Sequence, residues 1–313
     1  MSILDQFLMK DEVTVVTGAG GGLGSELVKI LAAAEATVVL VDQNIHPIQT
    51  LAENLQQQGG QATAYECDVT DPEAIQRLIT TIDNDHGRLD VLVNSAGILG
   101  ADNPMFEVQA SDWDAVMNVN LKATWQVSTF VADYMIKNQT AGRIVNISSS
   151  LGGRSQLKRI HYATSKAGVE HLTRNMAMEL VKSNIRVNCL APGWLATPMV
   201  QDILNGPQGA HWRKAIPMGR AAEPEELTGS LLLLASKASS YMTGSVLRVD
   251  GGYAYGGIEC DEKTPQHFHS FPVKCFFTCH HTSYQNYARA TMPEQIQIVP
   301  YIMRFALQII SNE

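Results

Sequence analysis

Eight residues near the amino terminus, Thr17-Gly18-Ala19-Gly20-Gly21-Gly22-Leu23-Gly24, restrict the folds open to this chain more than any other feature. Directly before them runs Val13-Thr14-Val15-Val16, short, apolar and β-branched as buried parallel strands are. A helical stretch follows from about Ser25 to Ala34. Glycines let the backbone turn sharply and approach a pyrophosphate, whose charge is met by unpaired N–H groups at the helix start. A flexible loop also contains glycines, but the strand before and the helix after make dinucleotide binding the stronger reading.

The next strand, Thr37-Val38-Val39-Leu40-Val41, ends in Asp42, eighteen residues after Gly24. A carboxylate there can accept hydrogen bonds from the adenosine ribose hydroxyls and would repel a 2′-phosphate. No Arg or Lys lies between Thr17 and Gly24, and Gln43 follows the aspartate. The expected cofactor is therefore NAD, with NADP second. A structural role competes: Asp42 could be a turn residue, or cap a helix over Asn44 to Leu55.

Downstream, strand and helix patterns alternate with short connectors. Further strands are expected at Ala62 to Glu66, Val91 to Asn94, Arg143 to Ser148, Arg186 to Leu190 and Ser245 to Val249. Helices are expected after Asp71-Pro72-Glu73, over His161 to Val181 and from Pro224 through Leu234. This rhythm implies a doubly wound α/β domain of the Rossmann type. Seven parallel strands would be covered by helices on both faces. The expected organisation is one domain over residues 1–253, followed by an extension over 254–313.

A second cluster carries chemistry. Tyr162 and Lys166 are four residues apart, on one face of the expected helix, with about 5–6 Å between their Cβ atoms. A nearby ammonium favours the phenolate, which makes tyrosine a usable acid/base near neutral pH. Thirteen residues before Tyr162 lies Ser149, at the end of a strand-like run. Ser148 is the alternative active serine, and either could instead cap a turn.

These residues resemble the short-chain dehydrogenase/reductase family, and the likeness covers about residues 8 to 253. Thr17, Gly18, Gly22 and Gly24 match its cofactor loop, which also contains Leu23. Asp68-Val69 match the pair that brackets the adenine ring. Asn94-Ser95-Ala96-Gly97 match the Asn-Asn-Ala-Gly signature with one departure, Ser95. Pro192-Gly193, followed by Leu195 and Thr197, match the turn at the nicotinamide end. Asn120, Ser149, Tyr162 and Lys166 fall on the family's four catalytic positions.

The resemblance implies that Tyr162 exchanges a proton with the substrate oxygen while Ser149 stabilises charge on that oxygen. Lys166 would depress the tyrosine pKa and bind the nicotinamide ribose, and Asn120 would hold a water linking the lysine to solvent. Each has a bland counterpart: Asn120 as an ordinary mid-helix residue, Thr197 as a helix cap. The implied partners are a small alcohol or ketone substrate and further copies of the chain, as a homotetramer or homodimer.

Three functions stand beside one another. The first is an NAD-dependent dehydrogenase of a secondary alcohol, such as a polyol or sugar acid. The second is a 3-oxoacyl carrier-protein reductase. Asp42 argues against it, as does Ser183, where that group often places an arginine. The third is a cofactor-binding sensor without catalysis, which a missing catalytic residue would have favoured; none is missing. Arg154, Lys158 and Arg159 crowd the loop before Tyr162, either to attract an anionic substrate or as a solvated or subunit-contact surface. Pro198 to Ala215, with Trp194 at its root and His211, Trp212, Arg213 and Lys214 near its end, resembles the family's substrate lid.

Net charge is −8, which argues against nonspecific nucleic-acid binding. No apolar run approaches the roughly 20 residues of a membrane span, and the start lacks a signal peptide's organisation. Cys67 and Cys189 fall in or beside strand regions without close-spaced partners, as reduced thiols of a cytoplasmic protein would. The extension contains His267, His269, Cys275, Cys279, His280 and His281, zinc-ligand residue types whose spacing fits no defined metal motif, so no metal is expected. Its Ile296 to Ile310 stretch is apolar enough to pack on a core or a subunit.

Overall fold

The computed structural model describes residues 3–207 and 209–256. Seven strands form one parallel sheet: β1 (Val13–Thr17), β2 (Thr37–Asp42), β3 (Gln61–Glu66), β4 (Val91–Asn94), β5 (Arg143–Ile147), β6 (Arg186–Pro192) and β7 (Val246–Val249). Their order is β3-β2-β1-β4-β5-β6-β7. The order reverses between β1 and β4, whose carboxyl ends are paired at Thr17 and Asn94. In open α/β sheets this switch point leaves the crevice in which ligands bind.

Side-chain alternation divides the core in two. Val16, Val38, Leu40, Val93, Val145 and Leu190 pack with Leu27, Leu31, Leu231 and Leu234, from helices α1 (Gly22–Ala33) and α9 (Thr228–Ala235). On the other face Val15, Val39, Leu92, Ile144 and Val187 meet α3 (Pro72–His86), α5 (Ala123–Lys137) and α6 (Ile160–Leu180). Because both faces are covered, the central strands are largely apolar, and β1, β4 and β5 are buried at every position, whereas the edge strand β3 is partly exposed.

The remaining helices are α2 (Ile45–Gln57), α4 (Ala110–Met117), α7 (Pro198–Asn205) and α8 (Gly209–Ala215). The expected lid is thus two short helices. The stretch expected as a helix from Pro224 opens as a 3₁₀ turn, Pro224–Leu227, fixed by a reciprocal capping box between Glu223 and Glu226. The residues between α4 and α5, Asn118–Lys122, form a π-helical turn. The Cys/His-rich part of the extension lies outside the described residues. Among the described residues no helix is long and apolar enough to cross a membrane.

Candidate active site

Thr17, at the end of β1, ties the two sides of the switch point together: its hydroxyl accepts the Ser95 and Ala96 amides at 3.2 and 3.3 Å. Gly18 then turns with φ +66°, and a Cβ there would lie 2.6 Å from Ala96 Cα, so the position demands glycine. The departure at Ser95 keeps this backbone bond, but the serine hydroxyl is buried without a partner among the described residues.

Gly21 precedes α1 and supplies no side-chain cap, so the first-turn amides face the loop uncovered by side chain. Asp42 holds the loop from the far side: its carboxylate accepts the Gly20 amide at 3.0 Å and the Asn44 amide at 3.1 Å. The helix cap of α2 is Asn44, whose side chain accepts the His46 amide, so capping is not the task of Asp42. A cleft of about 270 Å³ results, lined by Gly18, Gly22, Leu23, Gly24, Asp42, Asp68, Val69, Ala96 and Gly97 among others. Its uncapped helix start and its carboxylate at the end of β2 fit the pyrophosphate and ribose of a dinucleotide.

Other expected residues support or flank this cleft. Asn94 is buried and donates to Ser128 Oγ at 2.8 Å and Asn146 Oδ1 at 2.9 Å, bridging α5, β4 and β5. Asp68 accepts both the amide and the hydroxyl of Thr70. Gly193 continues β6 and abuts Asp250, and Leu195 is buried. Thr197 stands beside Gly22, bringing the turn after β6 against the glycine loop, and makes no side-chain cap for α7. The cleft also takes in Gln43 and Cys67, named above without a binding role although they adjoin Asp42 and Asp68, and Ile98 and Val119, which no sequence signal marked.

The remaining residues gather where β4, β5 and α6 meet. Asn120, fully buried in the π turn, donates to the Ile98 carbonyl at 2.9 Å and Ser165 Oγ at 3.0 Å, and accepts the Ile98 amide at 2.8 Å. Such turns recur at functional sites. Gly97 is the link to the cleft: a Cβ there would stand 3.3 Å from Asn120 Oδ1 and 3.4 Å from Lys166 Nζ.

The two serines have different surroundings. Ser148 is buried and donates to the Lys166 carbonyl at 3.0 Å, with Glu170 Oε1 at 3.4 Å. Ser149 is partly exposed, caps the turn Ser150–Gly152 through Leu151, and lies near enough to the Tyr162 phenol to favour its phenolate.

Lys166 is almost completely buried and donates to the Ile147 carbonyl at 2.9 Å, with Nζ 5.7 Å from the Tyr162 ring centre. Burial brings its ammonium down to about 8, against a small opposing pull from Cys189. The Tyr162 phenol is pushed up, not down: burial outweighs the Ser149 hydroxyl and the Arg159 charge, which favour the phenolate. Lys166 is turned to the end of β5, and the local bias on the phenol comes from Ser149 and Arg159.

A family model described as enoyl-(acyl carrier protein) reductase matches residues 18–254. The chain belongs to the short-chain dehydrogenase/reductase family. It is 39% identical over 246 residues to a 3-oxoacyl-[acyl-carrier-protein] reductase of Thermotoga maritima, covering 78% of this chain and 98% of that protein. It is 37% identical over 271 residues to a ribulose-forming D-arabinitol 2-dehydrogenase of Candida tropicalis, covering 80% and 95%. Among solved structures it resembles a gluconate 5-dehydrogenase from Burkholderia cenocepacia in complex with NADP and tartrate (TM-score 0.76, 32% identity, 80% of this chain and 98% of that one). A 7α-hydroxysteroid dehydrogenase complexed with NADH is also similar (TM-score 0.75, 33% identity, 80% and 98%). Short-chain dehydrogenases and reductases bind NAD(P) and act on small molecules, so this chain is an oxidoreductase of that kind.

Proposed function

We propose that the protein is an NAD(H)-dependent dehydrogenase that interconverts a secondary alcohol and a ketone, with a polyol or sugar acid as substrate. The observation carrying this reading is the convergence of Ser149, Tyr162 and Lys166 at the carboxyl edge of the sheet, joined to the cleft through Gly97.

In the oxidative direction Tyr162 takes the hydroxyl proton, and Ser149 holds the substrate oxygen and steadies its charge. A bound nicotinamide supplies the redox chemistry. Lys166 places its ammonium 5.7 Å from the Tyr162 ring centre, where it would hold the nicotinamide ribose. Asn120 has its side chain committed to Ile98 and Ser165. A water linking Lys166 to solvent would therefore rest on its main-chain carbonyl, which also accepts Thr124 Oγ1 at 2.8 Å.

Asp42 supports NAD over NADP, because a 2′-phosphate at the end of β2 would meet its carboxylate with Gln43 alongside. A 3-oxoacyl carrier-protein reductase is the second reading, favoured by the 39% identity to one. Homo-oligomerisation is inferred from the family habit. The groove between the π turn, α5 and α6, edged by Leu121, Trp125 and Leu172, offers a surface for it.

The deciding experiment follows cofactor absorbance with NAD⁺ and with NADP⁺ across polyols, sugar acids and simple secondary alcohols, with Tyr162→Phe alongside. NAD⁺ turnover that the variant loses supports the dehydrogenase. Silence with every alcohol but NADPH oxidation by a 3-oxoacyl thioester overturns it in favour of the reductase.

A further inference from the structure

The three cations of the loop between Ser149 and Tyr162 have different fates. Arg154 is committed: its guanidinium lies 4.2 Å over the Tyr253 ring and donates to the carbonyls of Tyr253 and Gly256. Lys158 stands exposed in a left-handed conformation, φ +63°. Arg159 has a side chain only 19% exposed, and its one ion-pair partner among the described residues is Asp102, 3.6 Å away and itself 62% exposed. A guanidinium carries five N–H donors, and covering most of it without acceptors costs free energy. At 3.6 Å the Asp102 contact is an ion pair without a close hydrogen bond.

Position gives this guanidinium its meaning. Arg159 is the residue just before α6, three positions ahead of Tyr162 in the chain. Its charge reaches the phenol and favours the phenolate. Asp102 lies on the segment that leaves β4 past Gly97, the same segment that carries Gly100 hard against His161. The Arg159–Asp102 pair therefore links the β4 loop to the start of α6 beside the reacting groups.

We propose that Arg159 is the anchor for a substrate carboxylate, which displaces Asp102 and pairs with the guanidinium while the carbinol a few bonds away meets Tyr162 and Ser149. A planar guanidinium fits a carboxylate with two parallel hydrogen bonds, and partial burial strengthens both. The inference rests on the dehydrogenase reading and sharpens it: hydroxy acids, sugar acids among them, are preferred over neutral polyols of the same length.

The test compares D-gluconate with D-glucitol, an acid and a neutral polyol of equal chain length, using NAD⁺ and kcat/KM. The ratio of the two is measured in wild type, Arg159→Gln, Arg159→Lys and Asp102→Asn. Arg159→Gln is expected to lower the gluconate-to-glucitol ratio by at least about 30-fold, as loss of one partner of a covered charge pair does. Arg159→Lys is expected to restore only part of it, because an ammonium cannot pair in two places at once. Asp102→Asn removes the competing carboxylate from an exposed position and is expected to raise the ratio about threefold. A ratio within about twofold of wild type in both Arg159→Gln and Asp102→Asn overturns the anchor, even if both substrates lose rate together.

Gluconate binding in the presence of NADH, read by tryptophan fluorescence, separates this inference from its parent. If wild type oxidises neither compound, the wider alcohol and thioester panel decides the dehydrogenase reading, and binding alone decides the anchor. Gluconate binding weakened at least about 30-fold by Arg159→Gln would still sustain the anchor. Equal binding, or no binding to wild type, would overturn it.

Discussion

Asp42 secures the glycine loop by accepting the Gly20 amide at 3.0 Å, and the same carboxylate faces the proposed ribose position. The two tasks can be pulled apart. Asp42→Asn keeps an oxygen for Gly20 and removes the charge, so the NADP⁺-to-NAD⁺ ratio of kcat/KM should rise about tenfold, the size of one charged hydrogen bond. Asp42→Ala should add a weaker hold on either cofactor. Unchanged ratios in both variants would remove Asp42 from cofactor choice.

Lys166 gives the protein a pH signature. Its folded ammonium sits at about 8 and its ordinary value is 10.5, so between these the unfolded chain binds a proton that the folded chain has released. Stability therefore rises with pH across that window, by about 3 kcal/mol in all, and is flat with respect to this group below it. Urea titrations at pH 7.5, 9 and 10 should show the stability difference between wild type and Lys166→Met growing in favour of wild type, because the thiols of Cys67 and Cys189, pushed up by burial, slope the other way in both proteins. The same slope in the variant would assign it to other groups.

Buried Glu170 is gripped by Arg248, whose Nη2 lies 2.9 Å from Oε2, beneath the turn that presents Ser149. A Cβ at Gly152 would stand 2.5 Å from Glu170 Oε1, so this carboxylate supports that turn directly. Arg248→Ala leaves the buried carboxylate only a distant ion pair with Arg174 at 3.7 Å and should cost about 3 kcal/mol in chemical denaturation. The double variant Glu170→Leu/Arg248→Leu should recover most of that loss, since it removes both charges. A double variant as unstable as the single would mean that packing, not charge, holds the turn.

The neighbouring serines should separate by readout. Ser149→Ala removes the hydroxyl that lies near the phenol and should lower kcat by about 10²-fold with little change in Tm. Ser148→Ala removes a buried bond to the Lys166 carbonyl and should cost about 1 kcal/mol of stability. The reverse pattern would make Ser148 the active serine.

Sheet and cleft were readable in the sequence because local signals carried them. β-branched runs marked β1 and β2, the alternation of strand-like and helical stretches marked the rest, glycines marked the turn whose Gly18 needs φ +66°, and Asp42 stood at a strand end. Contacts between distant segments were not readable. Asn120 looks like any mid-helix asparagine until Ile98, twenty-two residues away, is found pairing with it. Equivalent charges on one loop, Arg154 and Arg159, part company only because Tyr253 lies under the first. The direction of the Tyr162 shift was also hidden, since it depends on burial and on Lys166 turning to Ile147.

The π turn at Asn118–Lys122 holds one residue more than an α-helical turn would. It behaves as a single-residue insertion that the helix has absorbed. Deleting one of its five residues would leave a regular helix with α4 and α5 close to their present register, yet would remove the widened turn that carries Asn120. Asn120 would then leave Ile98 and Ser165. Chain length here is under tighter constraint than residue type: at this point the protein should tolerate many substitutions on the exposed side and no change in count.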